Sequence, residues 1–284
     1  MNIIRKFTCT PSQLEGMIHR LHRANTPPII DYIHEKPGYG NYKELKDKIT
    51  TYPRNHFAIK LSSFGICTSE NRCLEQVEAL IEHAKQNHSI VYIDAEQHDI
   101  QERINALTDY FMENYNQDKV VVYKTYQMYK KSMPLELQQD LCGSRSHAIG
   151  VKLVRGAYLG QDRHHGVLCE REEDTHKQYN EGIADFAMQH KNGDQLLCAT
   201  HNMRSIFIAK HYIRSYTLNN IAFAQLLGMG DFVTHDLEKQ GYDVYKYLPY
   251  GPLHESIPYL LRRLYENYPI IQHIQLPRLP HVLR

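Results

Sequence analysis

The chain has 284 residues, and its 33 lysines and arginines stand against 32 acids, for a formal net charge of +1. That balance gives neither nucleic acid nor an anionic membrane a field to hold as main partner. The length is long for an average domain and suits a single α/β barrel, for which roughly 250 residues is typical. Six cysteines (Cys9, Cys67, Cys73, Cys142, Cys169, Cys198) contain no C-x-x-C pair, which argues against a zinc site or a disulfide framework and for reduced, intracellular thiols. No apolar run approaches the ~20 residues that cross a bilayer. The segment 1–14 carries Arg5 and Lys6 and no acid, but it is too short and too poor in arginine to decide for a mitochondrial presequence.

In chain order, a helix is expected over about 11–22, followed by eight strand-like apolar runs at 29–33, 57–61, 90–94, 120–124, 150–154, 196–200, 221–225 and 242–247. Helical patterns at 71–87, 101–114, 175–190 and 203–214 lie between them. Alternation of strands and helices calls for a parallel sheet, and eight units call for a closed (β/α)8 TIM-type barrel. With no repeat and no linker, the expectation is one domain: an arm and helix over 1–25, the barrel over 26–270 and a tail over 271–284. A last helix opened by Pro258 would put Tyr259, Arg262, Arg263 and Glu266 on one face, with Ile257, Leu260, Leu261 and Leu264 on the other. Such a helix would carry the Arg-Arg pair over the barrel mouth.

Barrel chemistry gathers at the C-terminal ends of strands, and these ends carry Lys60, Asp94, Lys124, Lys152, His201, Gln225 and Tyr247. A polar group that repeatedly ends a buried strand is costly unless it is paired or used. Arg262 and Arg263 beside Tyr259 make an always-charged fork suited to a carboxylate, or else a solvated helix face. Lys60 offers a third positive group, or simply snorkels to solvent. Asp94-Ala-Glu96 closes a strand; Lys152 at a nearby strand end would neutralise Asp94, which equally well caps the next helix.

In Lys152-Leu-Val-Arg155-Gly156-Ala157-Tyr158, the glycine lets backbone approach a ligand while two cations face a phosphate or an electron-rich ring. Ala199-Thr200-His201-Asn202 leads into a helix whose free N–H groups suit an anion, although Asn202 also fits a plain helix cap. Gly228-Met-Gly230 lacks the third glycine of a dinucleotide fingerprint, and no G-x-x-x-x-G-K-[ST] occurs. The 18 histidines include no H-E-x-x-H, so no metal is expected.

Together these segments resemble the proline dehydrogenase family over about 26–267. The most specific matches are Lys152-Leu-Val-Arg-Gly-Ala-Tyr158, Tyr245-Lys-Tyr-Leu-Pro-Tyr-Gly-Pro252, Pro258-Tyr-Leu-Leu-Arg-Arg263 and Glu266-Asn267. They are supported in order by Ile59-Lys-Leu-Ser62, Ile93-Asp-Ala-Glu96, Thr125-Tyr-Gln127 and Ala199-Thr-His-Asn202. The Tyr-Gly-Pro block is nearer in form to eukaryotic, mitochondrial members than to the bacterial branch.

The resemblance implies an FAD-containing barrel that oxidises L-proline to 1-pyrroline-5-carboxylate and passes electrons to a membrane quinone. A mitochondrial location with peripheral membrane contact goes with it, or otherwise a cytoplasmic, membrane-peripheral one; nucleic acid does not. It implies Asp94 and Lys152 as the active-site pair, Lys60, Arg262 and Arg263 on the substrate carboxylate, and Leu226, Tyr247 and Tyr259 on its ring. Ala95, Lys124, Arg155, Gly156, Ala157, Thr175, Thr200, His201, Asn202 and Glu266 fall at or beside cofactor positions. Relative to bacterial members, Lys152 and Arg155 exchange an Arg and a Lys, Lys124 replaces a neutral amide, and Leu159 stands where an aromatic often follows. Two other readings remain open. One is a hydroxyproline dehydrogenase, a branch that tends to carry a small residue where Tyr247 stands; the other is a non-catalytic flavin-binding barrel.

Overall fold

A computed structural model describes residues 6–33, 41–252 and 255–256. Eight parallel strands, β1 (Pro28–Tyr32), β2 (His56–Ile59), β3 (Ile90–Ile93), β4 (Val122–Gln127), β5 (Gly150–Val154), β6 (Gln195–Ala199), β7 (Ile221–Leu226) and β8 (Val244–Tyr250), pair in chain order. The β1–β8 pair closes the barrel, with Ile29 beside Tyr247 and Asp31 beside Pro249. Among the described residues the helices are α1 (Leu14–Arg23), α2 (Asn41–Thr51), α3 (Glu70–Gln86), α4 (His98–Tyr115), α5 (Met133–Cys142), α6 (Leu159–Asp162), α7 (Glu172–Gln189), α8 (Met203–Tyr216) and α9 (Asp231–Lys239).

Side chains alternate along each strand, so the barrel has two cores. Ile30, Phe57, Ile59, Val91, Ile93, Val151, Leu153 and Phe223 face outward, where they pack with helix residues such as Ile81, Phe111 and Phe186. Ile29, Ala58, Tyr92, Tyr123, Leu197, Ala224 and Tyr247 face inward. Each fully buried Leu, Ile or Phe contributes about 1.5–3 kcal/mol, and the outer layer supplies most of them. The chain start is tied to the same wall: Thr8 Oγ1 donates to Pro249 O at 2.8 Å and Cys9 N to the same carbonyl at 3.2 Å. Helix α1 follows a short 3-10 turn at Pro11–Gln13 that Thr10 and Gln13 cap reciprocally.

The eight strands lie where the apolar runs fall, and two of them extend three residues beyond the run at the C-terminal end. β4 begins at Val122 and runs on to Gln127, because the Asn116 side chain accepts from Val121 N and Val122 N at 2.9 Å and occupies the start of the apolar run. β8 reaches Tyr250, which puts Tyr247 in mid-strand, not at its end. The segment expected to form a C-terminal helix, with Tyr259, Arg262, Arg263 and Glu266, lies outside the described residues.

The N-terminal end of the barrel is filled by aromatic rings. Tyr92 and Tyr123 have centroids 4.4 Å apart, and His56 stacks on Tyr245 at 4.5 Å with its Nδ1 2.9 Å from Tyr92 Oη. Burial, reinforced by nearby His22, lowers the His56 pKa to about 4. Between pH ~6.5, where an unfolded histidine titrates, and about 4, only the unfolded chain binds the proton, so stability falls as pH drops through that window. Urea unfolding of wild type and His56→Phe at pH 7.5 and 4.5 is the check. The wild type should lose more of its midpoint on acidification than the variant, and parallel losses in the two proteins would show that His56 does not carry the effect.

Candidate active site

The C-terminal mouth of the barrel is organised around Asp94, the residue after β3, which is only 8% exposed. Lys152, an inward residue of β5, donates to Asp94 Oδ1 at 2.6 Å. Tyr247, inward on β8, donates its hydroxyl to Oδ2 at 2.8 Å, and Lys60, the residue after β2, lies 3.2 Å from the same oxygen. Lys60 also donates to Asp31 of β1 at 3.1 Å, and Asp31 is 1% exposed. Four charges therefore alternate in sign across the mouth: Asp31, Lys60, Asp94, Lys152.

Burial alone would raise the Asp94 pKa. The ammoniums of Lys152 and Lys60, with hydrogen bonds from Lys152 and Tyr247, outweigh it and hold this carboxyl well below the usual carboxylate range. The Lys152 ammonium also sits over two rings, 5.0 Å from the centroid of Tyr247 and 5.8 Å from that of Tyr92. Asp94 does not cap a helix, since α4 starts only at His98 with Gln97 as its N-cap.

Next to this cluster Glu96 is 3% exposed, and its carboxylate accepts from Ser62 N at 2.9 Å and from Ser62 Oγ. Its pKa is raised, chiefly by burial, against the hydrogen bonds from Ser62. Gln127, inward at the end of β4, donates through Nε2 to Glu96 O at 2.8 Å, and no hydrogen-bond donor among the described residues reaches its buried Oε1.

A second cluster follows β5. Arg155 donates from Nε to His176 Nδ1 at 2.9 Å, from Nη1 to Thr200 Oγ1 at 2.7 Å and from Nη2 to Ser205 Oγ at 2.9 Å, with its guanidinium 4.4 Å from the Tyr179 ring centroid. Burial lowers its pKa, against the nearby Tyr179 and Glu172. Gly156 has φ +139°, and a Cβ there would lie 2.2 Å from a ring carbon of Tyr129, so only glycine fits. Asn202 is the N-cap of α8 and accepts from Ser205 N at 3.1 Å, while His201 Nε2 accepts from Leu226 N at 3.2 Å. Thr175 is buried in the first turn of α7, and Ala95 and Ala157 flank the two clusters half-buried.

A model of the family described as proline dehydrogenase matches residues 12–273. The chain belongs to the proline dehydrogenase family. Proline dehydrogenase 1, mitochondrial, of Dictyostelium discoideum is 36% identical over 196 residues, which cover 62% of this chain and 34% of that protein. The Homo sapiens protein of the same name is 32% identical over 211 residues, or 69% of this chain and 35% of that one. Hydroxyproline dehydrogenase of Xenopus laevis is 32% identical over 221 residues, or 72% and 47%. The chain thus spans about a third to a half of the length of these curated relatives. Proline utilization A of Bdellovibrio bacteriovorus, solved after inactivation by N-propargylglycine, shares the fold at TM-score 0.83 and 16% identity, over 94% of this chain and 33% of that one.

Within this family barrel the structure brings Lys60, Asp94, Lys152, Leu226 and Tyr247 together at the mouth, with Arg155, Gly156, Thr200, His201 and Asn202 beside them. Lys124 does not join them. It lies in mid-strand on the outer face of β4, where its ammonium is 3.0 Å from Asp109, 3.3 Å from Glu136 and 2.8 Å from Asp140, carboxylates of α4 and α5. Burial would lower its pKa, but these carboxylates raise it above the usual range. The expectation that Lys124 sits beside the cofactor is corrected accordingly: its side chain points away from the barrel interior to the carboxylates of α4 and α5. Gln225 is also outward, with Thr234 of α9 donating to its Oε1. Asp31 was missed; its signal was an acid inside an otherwise apolar strand.

The Asp94 arrangement has a measurable consequence. Lys152→Met leaves a buried carboxylate short of its nearest cation, a change that costs about 3–5 kcal/mol. Adding Asp94→Asn removes the charge that lacks compensation, so the double variant should recover a substantial part of that loss in urea unfolding. Equal or greater destabilisation of the double variant would contradict the pairing.

Proposed function

We propose that the protein oxidises L-proline to 1-pyrroline-5-carboxylate with FAD as cofactor and a quinone as final electron acceptor. The observation that carries this reading is the Asp94 cluster, with Lys60, Lys152 and Tyr247 converging on one buried carboxylate at the mouth of a family barrel. An amino-acid substrate brings its own carboxylate, and Lys60, with three donors, can add it to the two acids it already touches. Arg262 and Arg263, outside the described residues, are assigned to the same carboxylate by the sequence pattern. Tyr247, with Leu226 and Tyr259, would wall the ring. Asp94 stays ionised and compensated, so among the described residues the mouth carries no unpaired charge of its own when the substrate carboxylate reaches Lys60.

The chemistry of the second cluster fits FAD. The Arg155 guanidinium, the α8 N-terminus at His201–Asn202, the Gly156 backbone held against Tyr129 and the unpaired acceptor Gln127 Oε1 together suit a pyrophosphate and a ring bearing N–H groups. Ala95, Ala157, Thr175, Thr200 and Glu266 complete the proposed cofactor set, with Gln127 replacing Lys124. Bound FAD would supply the hydride acceptor. The protein's own part is to hold the substrate ring in one orientation, with its amine neutral, and to keep water from the reacting face. No described helix is long and apolar enough to cross a membrane, and we assign the quinone encounter to a peripheral approach. The mitochondrial names of relatives support that compartment for this chain. The proposed working unit is the single barrel domain with its N-terminal arm and C-terminal tail.

The decisive measurement is an absorption spectrum of purified protein under anaerobic conditions before and after L-proline. A flavin spectrum that bleaches on addition is the expected result, and protein that takes up no FAD on reconstitution would end the reading.

The hydroxyproline alternative has a relative behind it in the Xenopus laevis protein, and Tyr247 argues against it. The residue is 9% exposed and its hydroxyl is tied to Asp94, and in the proposed substrate pose its ring would fill the space that a 4-hydroxyl needs. Steric discrimination of this kind is worth roughly ten- to two-hundred-fold in kcat/KM. Wild type should therefore prefer L-proline to trans-4-hydroxy-L-proline. Tyr247→Ser should narrow or reverse the ratio, while Tyr247→Phe, which keeps the ring, should preserve it. A ratio unchanged in the serine variant would move substrate choice to other residues.

A further inference from the structure

Asp162, the last residue of the four-residue helix α6, has no exposed surface, and its carboxylate joins three separate strand-end loops. Oδ1 accepts at 2.8 Å from the backbone N–H of His98, the first residue of α4, where the β3 loop ends four residues beyond Asp94. Oδ2 accepts from the Tyr129 hydroxyl at 2.6 Å and lies 3.3 Å from Lys130 Nζ, both on the β4 loop. Asp162 itself belongs to the β5 loop that begins with Arg155 and Gly156. Tyr129 in turn grips that loop at its start: its N–H donates to Arg155 O at 2.8 Å, and its ring occupies the space that a Cβ on Gly156 would need. Lys130 is 3% exposed, so both sides of the ion pair are withdrawn from water.

We propose that Asp162 is a positioning residue whose buried carboxylate fixes the β3, β4 and β5 loops in register, and so sets the Asp94–Lys152 pair against the Arg155–Gly156 cofactor approach. The physical reason is the number of acceptors. A carboxylate offers two oxygens and a charge, and here one oxygen serves the β3 loop while the other serves the β4 loop and its lysine. No neutral side chain of the same size can accept from both donors and neutralise Lys130. Because Tyr129 carries the force onward to Gly156, a shift at Asp162 reaches the cofactor approach through a rigid ring, without contact between Asp162 and the reacting atoms.

This inference rests on the FAD reading for its functional consequence, though not for its structural one. Asp162→Asn keeps the volume and leaves a single acceptor, and Tyr129→Phe keeps the ring under Gly156 while removing the hydroxyl. Hydrogen–deuterium exchange on cofactor-free protein should show faster exchange in 95–101 and 156–165 in both variants, with segments on the opposite wall unchanged. FAD titration into the same cofactor-free proteins should give a Kd raised roughly ten- to hundred-fold, the size of a lost hydrogen bond to a charged group. The kcat for L-proline should fall while its KM changes less than about two-fold, because Lys60 stands on the far side of Asp94.

Folded variants with wild-type exchange and wild-type FAD affinity would overturn the proposal, as would a lowered melting temperature with kcat, KM and FAD affinity intact, the signature of a purely structural residue. If Asp162→Asn fails to fold, Tyr129→Phe alone decides by the same readouts. Wild type that binds no FAD overturns the functional reading, and the exchange measurement then still decides whether Asp162 fixes the loops.

Discussion

Everything at the barrel mouth depends on compensating one buried negative charge. An isolated carboxylate in so dry a place would be neutralised by uptake of a proton. Asp94 keeps its charge because two lysines and a tyrosine from three other strands meet on its two oxygens. Those partners come from β2, β5 and β8, so the interaction exists only when the barrel is closed and each strand is in register. A slip of one residue in any of them would turn the side chain to the outer face. The Asp94 cluster thus reports on the fold as much as on the site.

The same charge economy explains the differing fates of the lysines in these strands. Lys152 and Lys124 are both almost wholly buried, on adjacent strands, in runs of similar apolar character. Lys152 faces inward and meets Asp94. Lys124 faces outward and meets the carboxylates of α4 and α5. It ties a strand to its covering helices, a task no less demanding than that of Lys152 but unrelated to the mouth. Lys246, outward on β8, is tied in a like manner to Asp231 at 2.9 Å.

Much of this was legible in the sequence, and the gaps have definite causes. Strand count and order follow from short apolar runs separated by helical periodicity; Lys60 and Asp94 stand out because they close such runs, and Lys152 because it interrupts one in mid-strand. Strands buried on both faces do not alternate between polar and apolar, so pattern alone could not show which way Lys124 points. Asn116 takes the first hydrogen bonds of the β4 run with its side chain, and this shifted the strand by two residues. Asp31 was hidden inside an apolar strand. The grip of Tyr129 on Gly156 and of His176 and Ser205 on Arg155 joins residues far apart in the chain, and no local spacing announces it. The block resemblance supplied roles for Arg155 and Gly156 without supplying these partners.

The aromatic filling of the N-terminal end has a consequence for traffic. Among the described residues His56, Tyr92, Tyr123 and Tyr245 pack across one end of the barrel, which leaves the opposite mouth, where Asp94 lies, as the way in. Under the proposed function, a reactant, the product made from it and any second reactant would all pass the same threshold. Each therefore obstructs the others, and the sequence of arrivals and departures becomes a queue at one opening instead of a flow from one side to the other.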